Sequence, residues 1–174
     1  MILNPNYLED ITYYREVFAK INEEFAESVT LVVFGYDGKP DNEELFAGIN
    51  YEYVKKASIV HYFKQLKHLD LDVVFIPLIN NKYNATSENY NKYLECACFS
   101  IPVIVCDIFP YNAIIKNGIN GLIYKEKMDV VNMLDDMQQR PLILKDMGAN
   151  AYKDLVENYN YTVKNISHLI SIFE

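Results

Sequence analysis

The sequence predicts an α/β fold with a mainly parallel sheet that is covered by helices on both faces. Three uninterrupted apolar runs, residues 30–34, 73–77 and 101–106, have the length of buried strands. Strands that are apolar throughout are typical of parallel sheets, because both faces of such sheets are buried. Segments with helical periodicity lie between and after these runs, and this alternation favours a layered, Rossmann-like α/β domain.

The elements follow from periodicity and from helix-start and turn residues. The first helix is predicted over residues 7–27, where apolar residues recur at intervals of three and four from Leu8 to Phe25. Residues 51–61 fit neither a helix nor a strand pattern clearly. The remaining predictions are a turn over 35–40, a short strand over 45–47, and helices over 62–69, 128–138, 141–157 and 161–173.

Residues 83–124 are predicted to carry the functional site. They read as a polar loop, a helix that Thr86 or Ser87 caps, the strand over 101–106, a second loop and a short helix. A turn at Gly118 and Gly121 and a last short strand follow. Loops at the carboxyl ends of parallel strands line the ligand crevice, and the N-terminus of a helix favours an anion. A ligand site with an anionic component is therefore expected here.

Length and charge limit the classes of function. A chain of 174 residues suits one domain, predicted over 1–174, that buries a sizeable core. The formal net charge is −8, from 16 basic and 24 acidic residues, and no large cluster of Lys and Arg is present. This balance argues against a nucleic-acid-binding protein, whereas a small anionic ligand needs only a helix terminus and one or two lysines.

The cysteines predict a reducing compartment. Cys96, Cys98 and Cys106 all lie in apolar segments, which favours reduced core thiols and a cytoplasmic location. Their spacing is not that of metal ligands, and no metal site is expected. The sequence also shows neither a leader peptide nor an apolar run of membrane-spanning length.

Several short motifs follow one another in a fixed order over residues 70–125. They are a strand that ends at Pro77, Asn84 with Ser87, Leu94-Glu95, a strand that begins Ile101-Pro102, Asp107 with Pro110-Tyr111, and Asn117-Gly118 with Gly121. This order and spacing resemble the C-terminal, donor-binding domain of a GT-B glycosyltransferase of the family 4, or "glycosyl transferases group 1", type. The resemblance implies a GT-B half-domain.

The resemblance also implies a site. Glu95 matches the family glutamate that accepts hydrogen bonds from the ribose hydroxyls, and residues 87–91 would face the donor diphosphate. The donor-binding residues expected on this basis are Glu95, Ser87, Glu88, Asn84, Lys92, Tyr111, Gly35 and Tyr36. No catalytic residue is assigned. Neither a metal nor another cofactor is implied, since GT-B enzymes stabilise the leaving diphosphate with helix dipoles and basic side chains.

The implied function belongs to a larger protein. In a whole GT-B enzyme this domain would bind a nucleotide-sugar donor, and an N-terminal acceptor-binding domain, absent from these 174 residues, would complete the hexosyltransferase. Surface-glycan assembly is the expected process, and the isolated domain is expected to be inactive. The implied partners are the donor, the acceptor domain, a membrane surface contacted only by the full protein, and a second copy bound through surfaces that the acceptor domain normally covers.

Other interpretations of the same residues stay open at this point. The chain is also compatible with a non-enzymatic signalling or scaffolding module, or with a GT-B-like epimerase or phosphorylase. A receiver-like signalling domain would need an acidic pair near the end of the first strand, where only Asp37 occurs. Glu95 and Lys92 are compatible with a simple surface ion pair, one helical turn apart. Ser87 and Asn84 are compatible with helix caps, and Tyr111 with a packing residue.

Overall fold

The computed structural model of the protein describes residues 8–36 and 46–160, except for the side chains of Leu8, Tyr36 and Ile59. Its elements in chain order are α1 (Leu8–Phe25), β1 (Val32–Tyr36), β2 (Glu52–Lys55), α2 (Ile59–His68), β3 (Val74–Ile76), α3 (Lys82–Ser87), α4 (Asn91–Ala97), β4 (Val103–Cys106), α5 (Tyr111–Ile114), β5 (Leu122–Tyr124), α6 (Asp129–Gln139), α7 (Leu142–Asp154) and a π-helical turn (Leu155–Tyr159). The helix predicted over 161–173, Asp37 and most of the turn predicted over 35–40 lie outside the described residues.

The strands pair in parallel throughout. β1 pairs with β2, and β4 lies between β3 and β5. The strands β3, β4 and β5 form the second group, in which Val74 is opposite Val103 and Ile104 is opposite Leu122. Every residue of β3 and β4 is buried. The prediction of an α/β fold with parallel strands and covering helices is therefore confirmed, and the runs 73–77 and 101–106 contain fully buried strands, as expected.

Helix α1 packs its apolar face against the second group of strands. The ring of Tyr14 meets the rings of Phe75 and Tyr124 edge-on, with centroids 5.3 and 6.0 Å apart. Its hydroxyl donates to the Leu78 carbonyl at 2.8 Å and accepts from the Tyr124 hydroxyl at 2.7 Å. Burial raises the pKa of both tyrosines, so both remain neutral donors. The α1 interface is thus apolar with its few polar atoms satisfied.

The short strand predicted over residues 45–47 is wrong for the part that the structure describes. Phe46 and Ala47 lie in a helical turn that ends at Gly48, where φ is +77° and the Ile49 N–H donates to the Phe46 carbonyl. The Phe46 ring is buried and packs on Tyr51. The strand that pairs with β1 begins instead at Glu52, in the segment whose pattern was ambiguous. A three-residue apolar run is too short to determine its own conformation.

The polar loop predicted ahead of α4 is also wrong, because it contains the helix α3. Asn81 caps this helix, since its side-chain oxygen accepts from the Asn84 N–H at 2.8 Å. Thr86 and Ser87, the predicted caps, lie at the opposite end of α3. The Thr86 hydroxyl donates to the Lys82 carbonyl, and the Ser87 hydroxyl donates to the Tyr83 carbonyl. The cap is Asn81, five residues before Thr86, and it starts a helix that the polar composition of residues 82–87 did not indicate.

The predicted turn at Gly118 and Gly121 is confirmed. Gly118 has a φ of +77°, and its N–H donates to the Gly121 carbonyl at 2.9 Å. Between them, Asn120 is buried. Its amide nitrogen donates to the Tyr93 hydroxyl at 2.9 Å, and Tyr93 donates to Asp154 at 2.6 Å. This turn therefore ties α4 to α7 through a buried polar network.

Asp10 is a buried carboxylate beneath the loop that follows β3. Its Oδ1 atom accepts from the Ile79 N–H at 2.7 Å and from the Asn84 side-chain amide at 2.9 Å. Desolvation by burial raises the pKa of Asp10 above its ordinary value of 3.8, although the two hydrogen bonds oppose the shift. The protonated form is thus favoured more in the folded than in the unfolded chain.

We expect Asp10 to make the domain less stable as the pH rises above about 4, because the folded state must give up a proton that the unfolded state loses more easily. In Asp10→Asn, whose amide oxygen still accepts the two hydrogen bonds, that part of the pH dependence should disappear. Urea unfolding at several pH values between about 4 and 7 measures it. The exposed Asp72→Asn serves as the control, and identical pH slopes in wild type and Asp10→Asn would contradict the prediction.

Candidate functional site

The loops that follow β3 and β4 are joined at the carboxyl ends of the strands. The side-chain amide of Asn80 donates to the Asp107 carbonyl oxygen at 2.8 Å. The side-chain amide of Asn112 donates to Asp107 Oδ1 at 2.9 Å. All three residues are on the edge of the sheet where ligands of open α/β folds bind. This edge is the one that the sequence pointed to.

Glu95 lies in a compact cluster with Lys92 and Tyr62. Its Oε2 atom accepts from the Tyr62 hydroxyl at 2.8 Å and from Lys92 Nζ at 2.9 Å. Lys92 Nζ also lies 3.3 Å from the Tyr62 hydroxyl and 5.1 Å from the centroid of its ring. The side chains of Lys92 and Glu95 are 21% and 22% exposed. The pair is thus more than a solvated surface ion pair, because a third, partly buried group fixes its geometry.

Tyr62 places this cluster beside the end of β1. It extends from α2, and its ring stacks on Phe34 at a centroid distance of 5.4 Å and an interplanar angle of 9°. The next residue of β1 is Gly35, which has a φ of +88° at an irregularity in the β1–β2 register. Only glycine adopts such a φ readily. The structure therefore brings Gly35, Lys92 and Glu95 into the same region, while the Tyr36 side chain is not described.

The chemistry of the cluster is that of a fixed hydrogen-bond acceptor. Both donors, Tyr62 and Lys92, bind Oε2 of Glu95, so these contacts leave Oε1 for a ligand donor. Burial and the neighbouring carboxylate raise the pKa of Tyr62, which keeps its hydroxyl protonated as a donor. A carboxylate held in this way suits hydroxyl groups of a ligand, because it accepts hydrogen bonds and cannot donate them.

Asn84 faces inward rather than towards a ligand. It is 4% exposed, and its amide nitrogen donates to Asp10 Oδ1 and to the Ile79 carbonyl, each at 2.9 Å. The amide nitrogen is therefore occupied by contacts that hold the loop after β3 on α1. In this conformation Asn84 shapes the site from beneath.

Ser87 is the last residue of α3, and Glu88 follows it in the connection to α4. Ser87 is exposed, and Glu88 ends α3 by donating its N–H to the Asn84 carbonyl at 3.0 Å. Helix α4 begins at Asn91, whose N–H is accepted by the Asn89 side chain at 2.9 Å. Residues 88–90 thus connect the two helices, and the predicted contact between residues 87–91 and the diphosphate stays a prediction.

Tyr111 is a core residue. It is 0% exposed at the start of α5, directly after the cis peptide bond between Phe109 and Pro110. Phe109, two residues earlier, is 61% exposed. In this conformation a ligand at the strand ends meets Phe109 and the backbone around Pro110 before it meets the Tyr111 ring.

Two of the three cysteines are buried thiols. Burial raises the pKa of Cys96 and of Cys106 to about 12, so neither is a reactive thiolate at neutral pH. Cys98 is exposed, so the expectation that all three lie in the core is wrong for Cys98.

Within residues 8–36 and 46–160, no three His, Cys, Asp or Glu side chains are grouped closely enough to hold a metal ion. Over the same ranges, the helices are all too short or too polar to cross a bilayer.

A cavity of about 530 Å³ opens at the opposite edge of the sheet. It is lined mainly by apolar side chains around the amino ends of β1 and β3, among them Phe18, Leu31, Val73 and Met137. None of the expected donor-binding residues lines it. Because ligands of open α/β sheets bind at the carboxyl ends, we assign the candidate site to the Glu95 cluster and not to this cavity.

Sequence reasoning missed two residues of the site. Tyr62 is 33 positions from Glu95, and no local motif links them; the tertiary packing of α2 against β1 and α4 brings them together. Asn80 was within reach of the sequence, because it follows the predicted strand that ends at Pro77. The rule that carboxyl-end loops line the site, applied to this loop as well, would have included it.

Comparison with known proteins gives the fold. No protein-family model and no curated protein sequence matches the chain. Among solved structures, the C-terminal domain of the glycosyl transferase group 1 family protein LpcC from Francisella tularensis matches with a TM-score of 0.66 and 15% identity, over 92% of this chain and 85% of that domain. TarM matches with a TM-score of 0.69 and 14% identity, over 100% of this chain. HepE from Anabaena, in a complex with UDP and glucose, matches with a TM-score of 0.71 and 14% identity, over 99% of this chain.

These matches confirm the resemblance that the motifs indicated, namely the fold of a GT-B C-terminal half-domain. The chain spans 34% of TarM and 46% of the HepE chain in that complex. TarM and HepE therefore each include a large part that has no counterpart in these 174 residues, whereas 85% of the LpcC domain is matched.

Proposed function

We propose that this domain binds the nucleotide-sugar donor of a glycosyltransferase. The observation that carries the proposal is the fixed carboxylate of Glu95, held by Tyr62 and Lys92 beside the end of β1. The fold supports it, because the matched HepE structures hold UDP, UDP-glucose, or UDP with glucose. Neither observation alone specifies a nucleotide, but together they favour this class of ligand.

In the proposed complex, the ribose of the donor lies over Glu95. Its two vicinal hydroxyls donate to the carboxylate, one of them to Oε1, since the hydrogen bonds from Tyr62 and Lys92 both go to Oε2. The diphosphate then extends along residues 87–91 towards the start of α4. Asn84 and Tyr111 support the site from the core, and Asn80 and Asp107 fix the loops that border the sugar.

In the whole protein, the proposed reaction is transfer of a glycosyl unit from the nucleotide sugar to an acceptor, with release of the nucleoside diphosphate. An N-terminal acceptor domain supplies the other wall of the active site, and surface-glycan assembly is the process proposed for the whole protein. The domain by itself binds donor without transferring sugar.

A panel of nucleoside diphosphates tests the proposal. Ligand-detected NMR with UDP, GDP, ADP, CDP and dTDP, followed by calorimetry, should show one diphosphate bound at least about tenfold more tightly than the others. UDP-glucose then tests whether a sugar adds affinity. No binding of any diphosphate at millimolar concentration, about the weakest affinity that a recognition site shows, would count against a donor site in this domain.

Tyr62→Phe should weaken donor binding modestly. It removes one of two donors to Glu95 Oε2 and keeps the ring stacked on Phe34, so we expect a roughly threefold lower affinity. The free energy of unfolding should fall by about 1 kcal/mol. Calorimetry and urea unfolding measure the two effects. Tyr152→Phe, at an exposed position of α7, is the matched control, and an unchanged affinity in Tyr62→Phe would remove Tyr62 from the site.

A further inference from the structure

Helix α2 and the residues just before it form a basic segment in an acidic protein. From Tyr53 to Leu69 the chain has four lysines and two histidines and no Asp or Glu, whereas the formal net charge of the whole chain is −8. All four lysines are exposed. The positive charge is therefore local and available at the surface.

Apolar side chains share this surface with the lysines. Val60, Phe63, Lys64 and Lys67 follow the i, i+3, i+4, i+7 spacing of one helix face. Val60 is 81% exposed and Phe63 is 45% exposed, while Leu66 is in the core. We call this surface the α2 basic face. It consists of Val60, Phe63, Lys64 and Lys67, and the exposed Lys55 and Lys56 precede the helix in the chain.

The combination of charge and exposed apolar groups favours one kind of partner. An anionic bilayer surface attracts lysines, and its headgroup region accepts small apolar side chains such as Val60 and Phe63. A nucleic acid would use the lysines and leave Val60 without a role, and this face has no Arg for base or bidentate phosphate contacts. A second copy of the chain would bring like charges together.

We propose that the α2 basic face docks the domain on anionic lipid surfaces. The inference is independent of the proposed donor site, because Tyr62 extends from another face of α2 to Glu95. Docking through this face leaves the Glu95 cluster on the protein side of the helix. The binding is reversible and salt-sensitive, since four lysines act against the negative charge of the rest of the domain.

Co-sedimentation with lipid vesicles tests the proposal. The 174-residue chain is mixed with vesicles of phosphatidylcholine alone or with about 30% phosphatidylglycerol, at about 50 and 300 mM NaCl. At the lower salt concentration we expect partitioning onto the anionic vesicles to be at least about tenfold stronger than onto the phosphatidylcholine vesicles. At the higher salt concentration this difference should vanish.

Paired variants locate the surface. Lys64→Glu with Lys67→Glu should reduce partitioning onto anionic vesicles at least about tenfold, and Val60→Ser with Phe63→Ser should reduce it several-fold. Lys116→Glu with Lys145→Glu changes the net charge equally at exposed positions elsewhere, and should leave partitioning within about twofold of wild type. Circular dichroism confirms that each variant is folded.

Several results would overturn the proposal. They are equal partitioning onto neutral and anionic vesicles, no partitioning onto either, or an equal loss in the control variant. Binding of a single-stranded oligonucleotide that needs Lys64 and Lys67, without vesicle binding, would assign the face to nucleic acid instead. A dimer seen by light scattering without lipid, and lost in Val60→Ser with Phe63→Ser, would assign it to self-association.

Discussion

Replacing Gly148 by alanine is expected to lower the free energy of unfolding by more than about 3 kcal/mol, or to prevent folding. A Cβ atom at this position would overlap the Ser100 carbonyl oxygen and lie 2.8 Å from the carbonyl carbon. These are backbone atoms, so α7 would have to move away from the segment between α4 and β4. The better helix propensity of alanine returns only about 1 kcal/mol, so the steric clash decides the outcome.

Urea unfolding followed by circular dichroism measures this effect. Domains of this size are stable by roughly 5–15 kcal/mol, so the variant should unfold at a much lower urea concentration. Lys145→Ala, at an exposed position of the same helix, should stay within about 0.5 kcal/mol of wild type. A Gly148→Ala variant as stable as wild type would show that α7 does not approach Ser100 this closely.

Glu95→Ala is expected to weaken binding of the selected nucleoside diphosphate by about 10- to 100-fold, because a hydrogen bond to a charged group contributes about 1.5–3 kcal/mol. The fold should survive, since Glu95 is only partly buried and its loss leaves Lys92 with access to solvent. Calorimetry measures the affinity, and urea unfolding checks the stability.

A matched control exists on α1. Glu23 pairs with Lys20 at 3.0 Å, one helical turn away, as Glu95 pairs with Lys92 at 2.9 Å. Glu23→Ala removes one of the two carboxylates that Lys20 contacts, far from the candidate site, and it should leave the affinity for the diphosphate within about twofold of wild type. Equal affinities in Glu95→Ala and in wild type would exclude the carboxylate from the donor site.

The sequence was most informative where the physics is local. The apolar runs of β3 and β4 have the length and β-branched composition of buried parallel strands, and the three-to-four spacing in α1 is that of an amphipathic helix. The order of motifs from Pro77 to Gly121 then predicted the fold of a GT-B half-domain. The matched structures confirm that fold at 12–15% identity.

It was least informative where distant residues decide the outcome. Helix α3 was missed because a polar stretch such as Lys82–Ser87 has no apolar periodicity of its own and is held by Asn81 and Asp10. The role of Asn84 depends on Asp10, 74 positions earlier in the chain. Tyr62 reaches Glu95 across 33 positions of the chain while its ring stacks on Phe34 of β1. Contacts of this range follow from the packing and leave no pattern in the local sequence.

The most direct test of the proposed function is a thermodynamic cycle between Glu95 and the ribose hydroxyls. The affinities of the selected diphosphate, UDP if the panel selects it, and of its 2′,3′-dideoxy form are measured by calorimetry in wild type and in Glu95→Ala. If Glu95 binds the ribose, removing the hydroxyls should cost wild type at least about tenfold and the variant less than about twofold, since the hydrogen bonds are then already lost. An equal loss in both proteins would show that Glu95 does not contact the ribose and would contradict the proposed donor site.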